Sequence, residues 1–342
     1  MRRSDIIGLL LLAFVIGCRF LTPLADFYAE YCYPFISAVL SFVASVVPFS
    51  LEEIVVIGFI LAFIVVLVRT VRRKAGFVGW LGRTARVAMW LLVWLNLGWA
   101  CNYFRTPLYE RLGIQKESYE KASFSRFLAD YTEALNGTAR NAAAWEKESL
   151  EADIKEFYST RVAEYGYSGL RKWQHVKKPL INPLYSAVGV LGFMGPFFCE
   201  SQLNLELLEE QYPFTAAHEL AHLAGVTREA EANYWAYVYC RDSDNPAVRY
   251  SGHLALLPYA SAAAKNNLPE NQYATWKASL DDKVKTDSEH SREYWNARRV
   301  GIVDKVQQWM MDSFLKSNGV SEGAEDYYRV IGMIITMDSH IN

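Results

Sequence analysis

The sequence predicts a membrane protein that is mainly α-helical: about three N-terminal transmembrane helices, then an α-rich (α+β) domain with a small sheet. Three observations predict this. The 342 residues are 52% hydrophobic and 14% aromatic, and the apolar excess sits in the first hundred, in runs long enough to enter a bilayer. From Arg105 onward charged residues return, and apolar residues recur at helical spacing. One apolar, β-prone run, Val188–Cys199, is the best strand candidate. The division falls at 1–104 for the membrane anchor and 105–342 for the second domain.

Met1-Arg2-Arg3 precedes the apolar run Ile6–Ile16, but Cys18-Arg19-Phe20-Leu21 offers no small-x-small cleavage site. An uncleaved first span over about Asp5–Leu24 follows. Ala25–Ser50 carries Tyr28, Tyr31, Tyr33 and Phe35, then Ile36–Val47 closed by Pro48, with no Lys or Arg. This pattern suits an interfacial or re-entrant segment, a complete span being the open alternative. Ser50 starts the next helix as N-cap, with Glu53 at the capping-box position. Ile54–Val68 is the second span. Arg69, Arg72, Arg73, Lys74, Arg83 and Arg86 form a short basic loop, and Val87–Cys101 is the third span, with Trp90, Trp94 and Trp99. Asn96 inside it is expected to bond a neighbouring helix. The basic residues place the N-terminus and the Arg69–Arg86 loop in the cytoplasm, and three spans then put residues 105–342 outside it. A full extra span in Ala25–Ser50 would reverse this.

In the second domain, Glu117–Leu135 reads as an amphipathic helix with Phe124, Phe127, Leu128 and Tyr131 on one face. Asn136-Gly137-Thr138 is expected to end it as a C-cap turn. Ala142–Tyr165 continues helical, and Gly166–Gly169 is a loop. Lys172, Lys177 and Lys178, beside Trp173 and His175, read as a solvated basic patch. The glycines and proline of Val188–Cys199 suit an edge strand, to which an extended peptide could add. Trp276, Trp295 and Trp309 read as core. A net charge of −2 implies no general attraction to nucleic acid. The five cysteines include no C-x-x-C pair, which excludes a zinc ribbon or thioredoxin-like site. Cys199 and Cys240 read as buried thiols, with a disulfide left open. There is no P-loop, dinucleotide fingerprint or Gly-x-Ser-x-Gly.

The chemistry lies in Phe214-Thr215-Ala216-Ala217-His218-Glu219-Leu220-Ala221-His222. Histidines four apart share one helix face and can grip one Zn²⁺. Glu219 lies beside that face, where a carboxylate can take a proton from a zinc-activated water. The flanks are apolar or small nearly all round, as in a buried helix, where unliganded histidines would be costly. A catalytic zinc needs a third protein ligand. Gly225 can stop this helix, and Thr227 can N-cap the next. Metzincins need a histidine three residues after that glycine, where Arg228 stands. Glu229 and Glu231 remain. On a helical wheel Ala232, Asn233, Ala236 and Cys240 share the side of Glu229, and their small side chains allow close approach. Glu229 is therefore preferred, with Glu231 as alternative ligand, cap of the helix start or partner of Arg228, and Asn233 as a group supporting the ligands.

Glu229-x-x-Ala232-Asn233-x-Trp235-Ala236 resembles the Glu-x-x-Ala-Asp/Asn segment of gluzincin metallopeptidases, which implies a gluzincin-like zincin domain with Glu229 as third ligand. The wider string, with Asn102-Tyr103, Pro107-Leu108 and Tyr250-Ser251-Gly252, is similar to an uncharacterised family of bacterial membrane proteins with such a C-terminal domain. Two oxyanion donors are weighed: Tyr328, since gluzincins commonly use Tyr or His, and His253, which is also weighed as an alternative ligand. The expectation is a multi-pass protein of the bacterial cytoplasmic membrane whose outer domain hydrolyses peptide bonds of a peptide or envelope protein. The rival is a non-catalytic, zinc-stabilised envelope sensor or scaffold.

Overall fold

The computed structural model describes residues 3–73, 77–114, 120–140, 144–321 and 323–341. The N-terminal part is built of long helices. Helix α1 (Arg3–Phe20) stops one turn short of the expected Leu24, because Leu21 is extended and Pro23 begins the next helix. α2 (Thr22–Phe27), a π-helical turn (Tyr28–Cys32) and α3 (Tyr33–Ala44) then run on as one rod. The rods Thr22–Ala44 and Leu51–Thr70 are each long and apolar enough to cross a membrane. The second belongs to α4 (Leu51–Arg73), which is followed by α5 (Phe77–Gly98). The basic stretch is thus largely helical rather than a loop; Lys74 lies outside the described residues. Asp5 of α1 and Arg86 of α5 pair at 2.7 Å, fixing these two helices side by side. Asn96 donates to Leu92 O within its own helix, not to a neighbour.

The rod Thr22–Ala44 lies against the second half of the chain along its length. Trp173 Nε1 and Gln174 Nε2 donate to Ser41 and Ser37 hydroxyls at 3.2 Å. Tyr28, Tyr33, Ser37, Ser41 and Ala44 are buried on this side, while Phe27, Tyr31, Phe35, Val39 and Phe42 point outward. The start of α4 is equally tied in. Ser50 caps it as expected, accepting from Glu53 N at 3.2 Å. Glu53 does not close the box; its carboxylate accepts from Leu180 N and Ile181 N at 2.8 and 2.9 Å. Glu200 accepts from Leu51 N and Glu52 N, each at 3.0 Å, where helix-terminal amides favour an anion. Lys177 pairs with Glu200 at 2.5 Å, fully buried, so it is no member of a solvated basic patch.

Beyond α5 come α6 (Leu108–Arg111), α7 (Lys121–Ala139) and α8 (Lys147–Phe157). The expected starts at Glu117 and Ala142 lie outside the described residues. Asn136-Gly137-Thr138 does not end α7, which runs on to Ala139. The Asn136 side chain is taken up by a distant turn, donating to Ser279 O at 3.0 Å and accepting from Asp281 N at 2.7 Å, so it offers no local cap. The sheet has the order β1-β3-β2, with β1 (Val176–Lys177) parallel to β3 (Glu200–Leu203) and β2 (Gly192–Gly195) antiparallel to it. The predicted strand is therefore shorter than Val188–Cys199. Helix α9 (Asn182–Ala187) ends just before it, Gly189 turns the chain at φ 68°, and Pro196–Cys199 forms a hairpin turn. β2 lies at the sheet edge. The hairpin turn inserts between α4 and α5: Trp94 Nε1 donates to Phe197 O at 2.8 Å, and the Phe197 ring lies 6.2 Å from Phe59.

The core centres on α10 (Tyr212–Leu223), α11 (Glu229–Arg241) and α12 (Pro246–Asn267). Four helices complete the chain: α13 (Glu270–Ala278), α14 (Asp282–Asn296), α15 (Gly301–Ser317) and α16 (Val330–Ile341). Trp276 and Trp295 are core residues with bonded indole N–H groups. Trp309 is not: it is 69% exposed on α15. All five cysteines, Cys199 and Cys240 included, are free thiols.

Candidate metal centre

Two buried helices joined by a tight turn build the site. Gly225, at φ 96°, ends α10 in a Schellman turn: Val226 N donates to Ala221 O at 3.1 Å and Gly225 N to His222 O at 2.9 Å. Three carbonyls of the motif helix also accept bonds from residues far away in sequence. Tyr33 donates to Leu223 O at 3.0 Å, Tyr158 to Ala217 O at 2.9 Å and Ser201 to Glu219 O at 2.8 Å. Ala216, Ala217 and Ala221 on α10 and Ala232 and Ala236 on α11 are fully buried small residues, which lets the two helices approach closely. Gly252 does the same for α12, since a Cβ there would lie 2.4 Å from Cys240 Cβ. Ser251 accepts from Phe214 N at 3.1 Å. Thr227 does not cap α11; its hydroxyl lies 3.4 Å from Asn102 O. Asp326 supplies the carboxylate instead, accepting from Ala230 N at 3.2 Å.

This frame brings His218, His222 and Glu229 together. The two Nε2 atoms are 3.1 Å apart, and Glu229 Oε2 lies 3.3 and 3.4 Å from them. The three ligand atoms could hold a metal ion. Their spacing suits it, because a tetrahedral ion with bonds of about 2.0–2.1 Å sets its ligand atoms roughly 3.3 Å apart. His222 Nδ1 lies 2.7 Å from Val226 O; donating there leaves the Nε2 lone pair free for a metal. Glu229 Oε2 and Glu219 Oε2 are buried without a hydrogen-bond donor among the described residues, a costly state for carboxylates that a cation relieves. Burial would lower the His222 pKa, but the Glu229 carboxylate, the Glu219 charge and the bond to Val226 O together override it and raise it to about 9. Burial raises that of Glu219, against the pull of His218 and His222 and with the push of Glu229. Glu219 is covered by β2: a Cβ on Gly192 would lie 2.5 Å from its Cγ.

The other expected residues separate. Glu231 is turned away from the cluster. It accepts from Tyr167 at 2.6 Å and from Leu108 N at 3.2 Å, at the start of α6, and it does not pair with Arg228. Asn233 is buried one turn beyond Glu229, with its amide nitrogen unpartnered among the described residues. His253 is buried elsewhere, with Tyr237 and Tyr131 rings at 5.7 and 6.1 Å. Tyr328 is 58% exposed, with its ring 5.7 Å from that of Tyr259.

Three neighbours of the cluster escape sequence reasoning. Tyr259, half-buried on α12, has a hydroxyl pushed up to about 12 by burial and the Glu229 charge, against the opposing Asn233 amide. Trp99, just past α5, packs edge-on against His222 at 5.7 Å. Tyr103 is buried, and the charge of Glu229 adds to that burial in raising its pKa. Only the Asn102-Tyr103 pair carried any signal, through the family resemblance.

No curated protein and no solved structure matches this chain. Residues 28–335 match a family described as "Protein of unknown function (DUF3810)". That match takes in the Thr22–Ala44 rod from Tyr28 on, α4, α5, the sheet, the His218–His222–Glu229 cluster and α12 with Tyr259. The chain belongs to the DUF3810 family.

Proposed function

We propose that this chain is a membrane-anchored zinc metallopeptidase of gluzincin-like type, with residues 105–342 outside the bacterial cytoplasmic membrane. The observation that carries the reading is the convergence of His218, His222 and Glu229 at 3.1–3.4 Å beside Glu219, whose buried Oε2 has no hydrogen-bond partner among the described residues. Two imidazoles and one carboxylate are the donor set of a hydrolytic zinc site, and a fourth position stays open for water or substrate. Bound zinc supplies Lewis acidity, lowering the pKa of a water and polarising a carbonyl.

The residues do the rest. Glu219 takes the proton of the attacking water and returns it to the leaving amine as the C–N bond breaks. The Tyr259 hydroxyl, still protonated at neutral pH and within reach of the Glu229 charge, is the donor for the developing oxyanion. Tyr328, exposed behind it, closes over Tyr259 rather than over the ligands. The free edge of β2, which runs past Glu219 at Gly192, offers main-chain hydrogen bonds to an extended peptide. The substrate is accordingly a peptide or an unfolded segment of an envelope protein.

Glu219→Gln separates this reading from a zinc-stabilised scaffold. Purified full-length Glu219→Gln protein should keep one zinc per chain. It should also lose peptide hydrolysis by roughly 10²–10⁴-fold, read by mass spectrometry of a peptide library. Unchanged cleavage, or wild-type protein that cleaves nothing, would favour the scaffold.

A further inference from the structure

We propose that α15 is an interfacial membrane helix that seats the metal-bearing face of the domain on the bilayer. The inference rests on the membrane part of the reading above, not on zinc or catalysis.

Val303, Val306, Trp309 and Met310 form one outward stripe along α15, and all four are exposed. The spacing of three, three and one residues keeps them on one side of the helix. The inner side rests on the 3₁₀ segment Gly323–Arg329 and buries Leu315. Lys305, exposed, flanks the stripe. An apolar face with Trp, flanked by Lys, is the composition of a helix lying at the headgroup–acyl boundary.

The position of its two ends selects the bilayer as the occupant. Before the helix, Val300 N donates to Ala187 O at 2.8 Å, at the end of α9. The residues leading into α9, Leu180 and Ile181, are held by Glu53 in the first turn of α4. After the helix, Gly319 sits against Phe104, and within its last turns Phe314 packs on Tyr103 at 5.9 Å. Phe104 in turn lies under Arg19, at the end of α1, at 5.6 Å. Both ends of α15 are thus tied to the domain-side ends of the N-terminal helices, and a helix tied at both points runs along the face from which they emerge. That face carries further outward apolar groups: Leu180, Ile181 and Leu184 near α9, and Phe35, Val39 and Phe42 on α3. The start of α15 is thus linked through α9 to the first turn of α4, on which Ile60, Leu61 and Phe63 also point outward. Because Trp99 touches His222, seating this face on lipid holds the metal cluster at membrane level. Its substrates are then segments close to the lipid surface.

Spin labels test this on the full chain in phosphatidylcholine vesicles. Four native cysteines are buried and Cys32 is half-buried, so Val306→Cys labels selectively, with Met310→Cys as a second variant should the first fold poorly. Leu61→Cys on α4 reports the bilayer interior and Lys305→Cys the polar side of α15. Labels at 306 and 310 should be more accessible to oxygen than to a water-soluble nickel complex, with the order reversed at 305. Water accessibility at 306 and 310 equal to that at 305, with Leu61→Cys in lipid, overturns the proposal and leaves the anchor intact. A water-exposed Leu61→Cys overturns the anchor and the proposal together. Spin–spin broadening at 306, relieved by dilution with unlabelled protein, overturns it in favour of a second copy of this chain.

Discussion

The pair His218–His222 and the single His253 are both buried, yet they sit in opposite environments. The pair faces two carboxylates, Glu229 and Glu219, and burial is outweighed by the Glu229 carboxylate acting with the Glu219 charge and the bond to Val226 O, which together raise His222 to about 9. His253 has tyrosine rings around it and the guanidinium groups of Arg249 and Arg241 nearby; burial, reinforced by those charges, lowers it to about 4. Burial alone therefore does not mark a metal ligand. A ligand needs converging lone pairs and a net negative surround, whereas His253 is a neutral ring held in a basic one.

The sharpest way to break this contrast is to remove one ring from each place. His222→Ala should lose the bound zinc and all hydrolysis, whereas His253→Gln should keep one zinc per chain and most of its activity, as measured by elemental analysis and peptide cleavage. If His253→Gln lost its metal as completely as His222→Ala, the division between the two environments would fail. A second test moves outward from the ligands. Tyr259→Phe should lower kcat roughly 10²-fold with little change in KM, the signature of a lost oxyanion donor, while Tyr328→Phe stays near wild type. Equal effects at both positions would return the donor role to the exposed ring.

The third test uses acid. The folded-state value of His253 lies below its ordinary 6.5. Between pH 6.5 and about 4 the unfolded chain therefore binds a proton that the folded chain does not, and stability falls as pH drops through this window. The loss approaches about 3 kcal/mol at its lower end. Replacing His253 with Leu should flatten thermal stability between pH 6.5 and 4. An unchanged pH profile would show that the ring is not held neutral in the fold.

Why some of this was legible in the sequence and some was not follows from the range of each interaction. His-Glu-x-x-His and the wheel after Gly225 are local. Their spacing puts His218, His222 and Glu229 on facing sides of two consecutive helices, and small residues such as Ala232 permit the approach. The Schellman turn at Gly225 is local too. By contrast, Tyr33 caps a carbonyl 190 residues away, and Asp326 rather than Thr227 holds the start of α11. Neither choice leaves a periodicity to find. Gly137 shows the reverse: a local turn signal is overridden because Asn136 bonds the Ser279–Asp281 turn. Trp309 misleads because a tryptophan at helical spacing looks the same whether it faces a core or points outward. Tyr259 was one tyrosine among 21, and only its fold neighbours, Glu229 and Asn233, single it out.

X-ray absorption at the zinc edge of the purified full-length protein is the most direct test of the central claim. One zinc per chain is expected in a shell of nitrogen and oxygen scatterers at about 2.0–2.1 Å, with outer-shell scattering from two imidazoles and no sulfur. Loss of the Glu229 oxygen in Glu229→Ala should perturb that shell. Sulfur scatterers at about 2.3 Å, or protein that holds no stoichiometric zinc after growth with the metal, would contradict it.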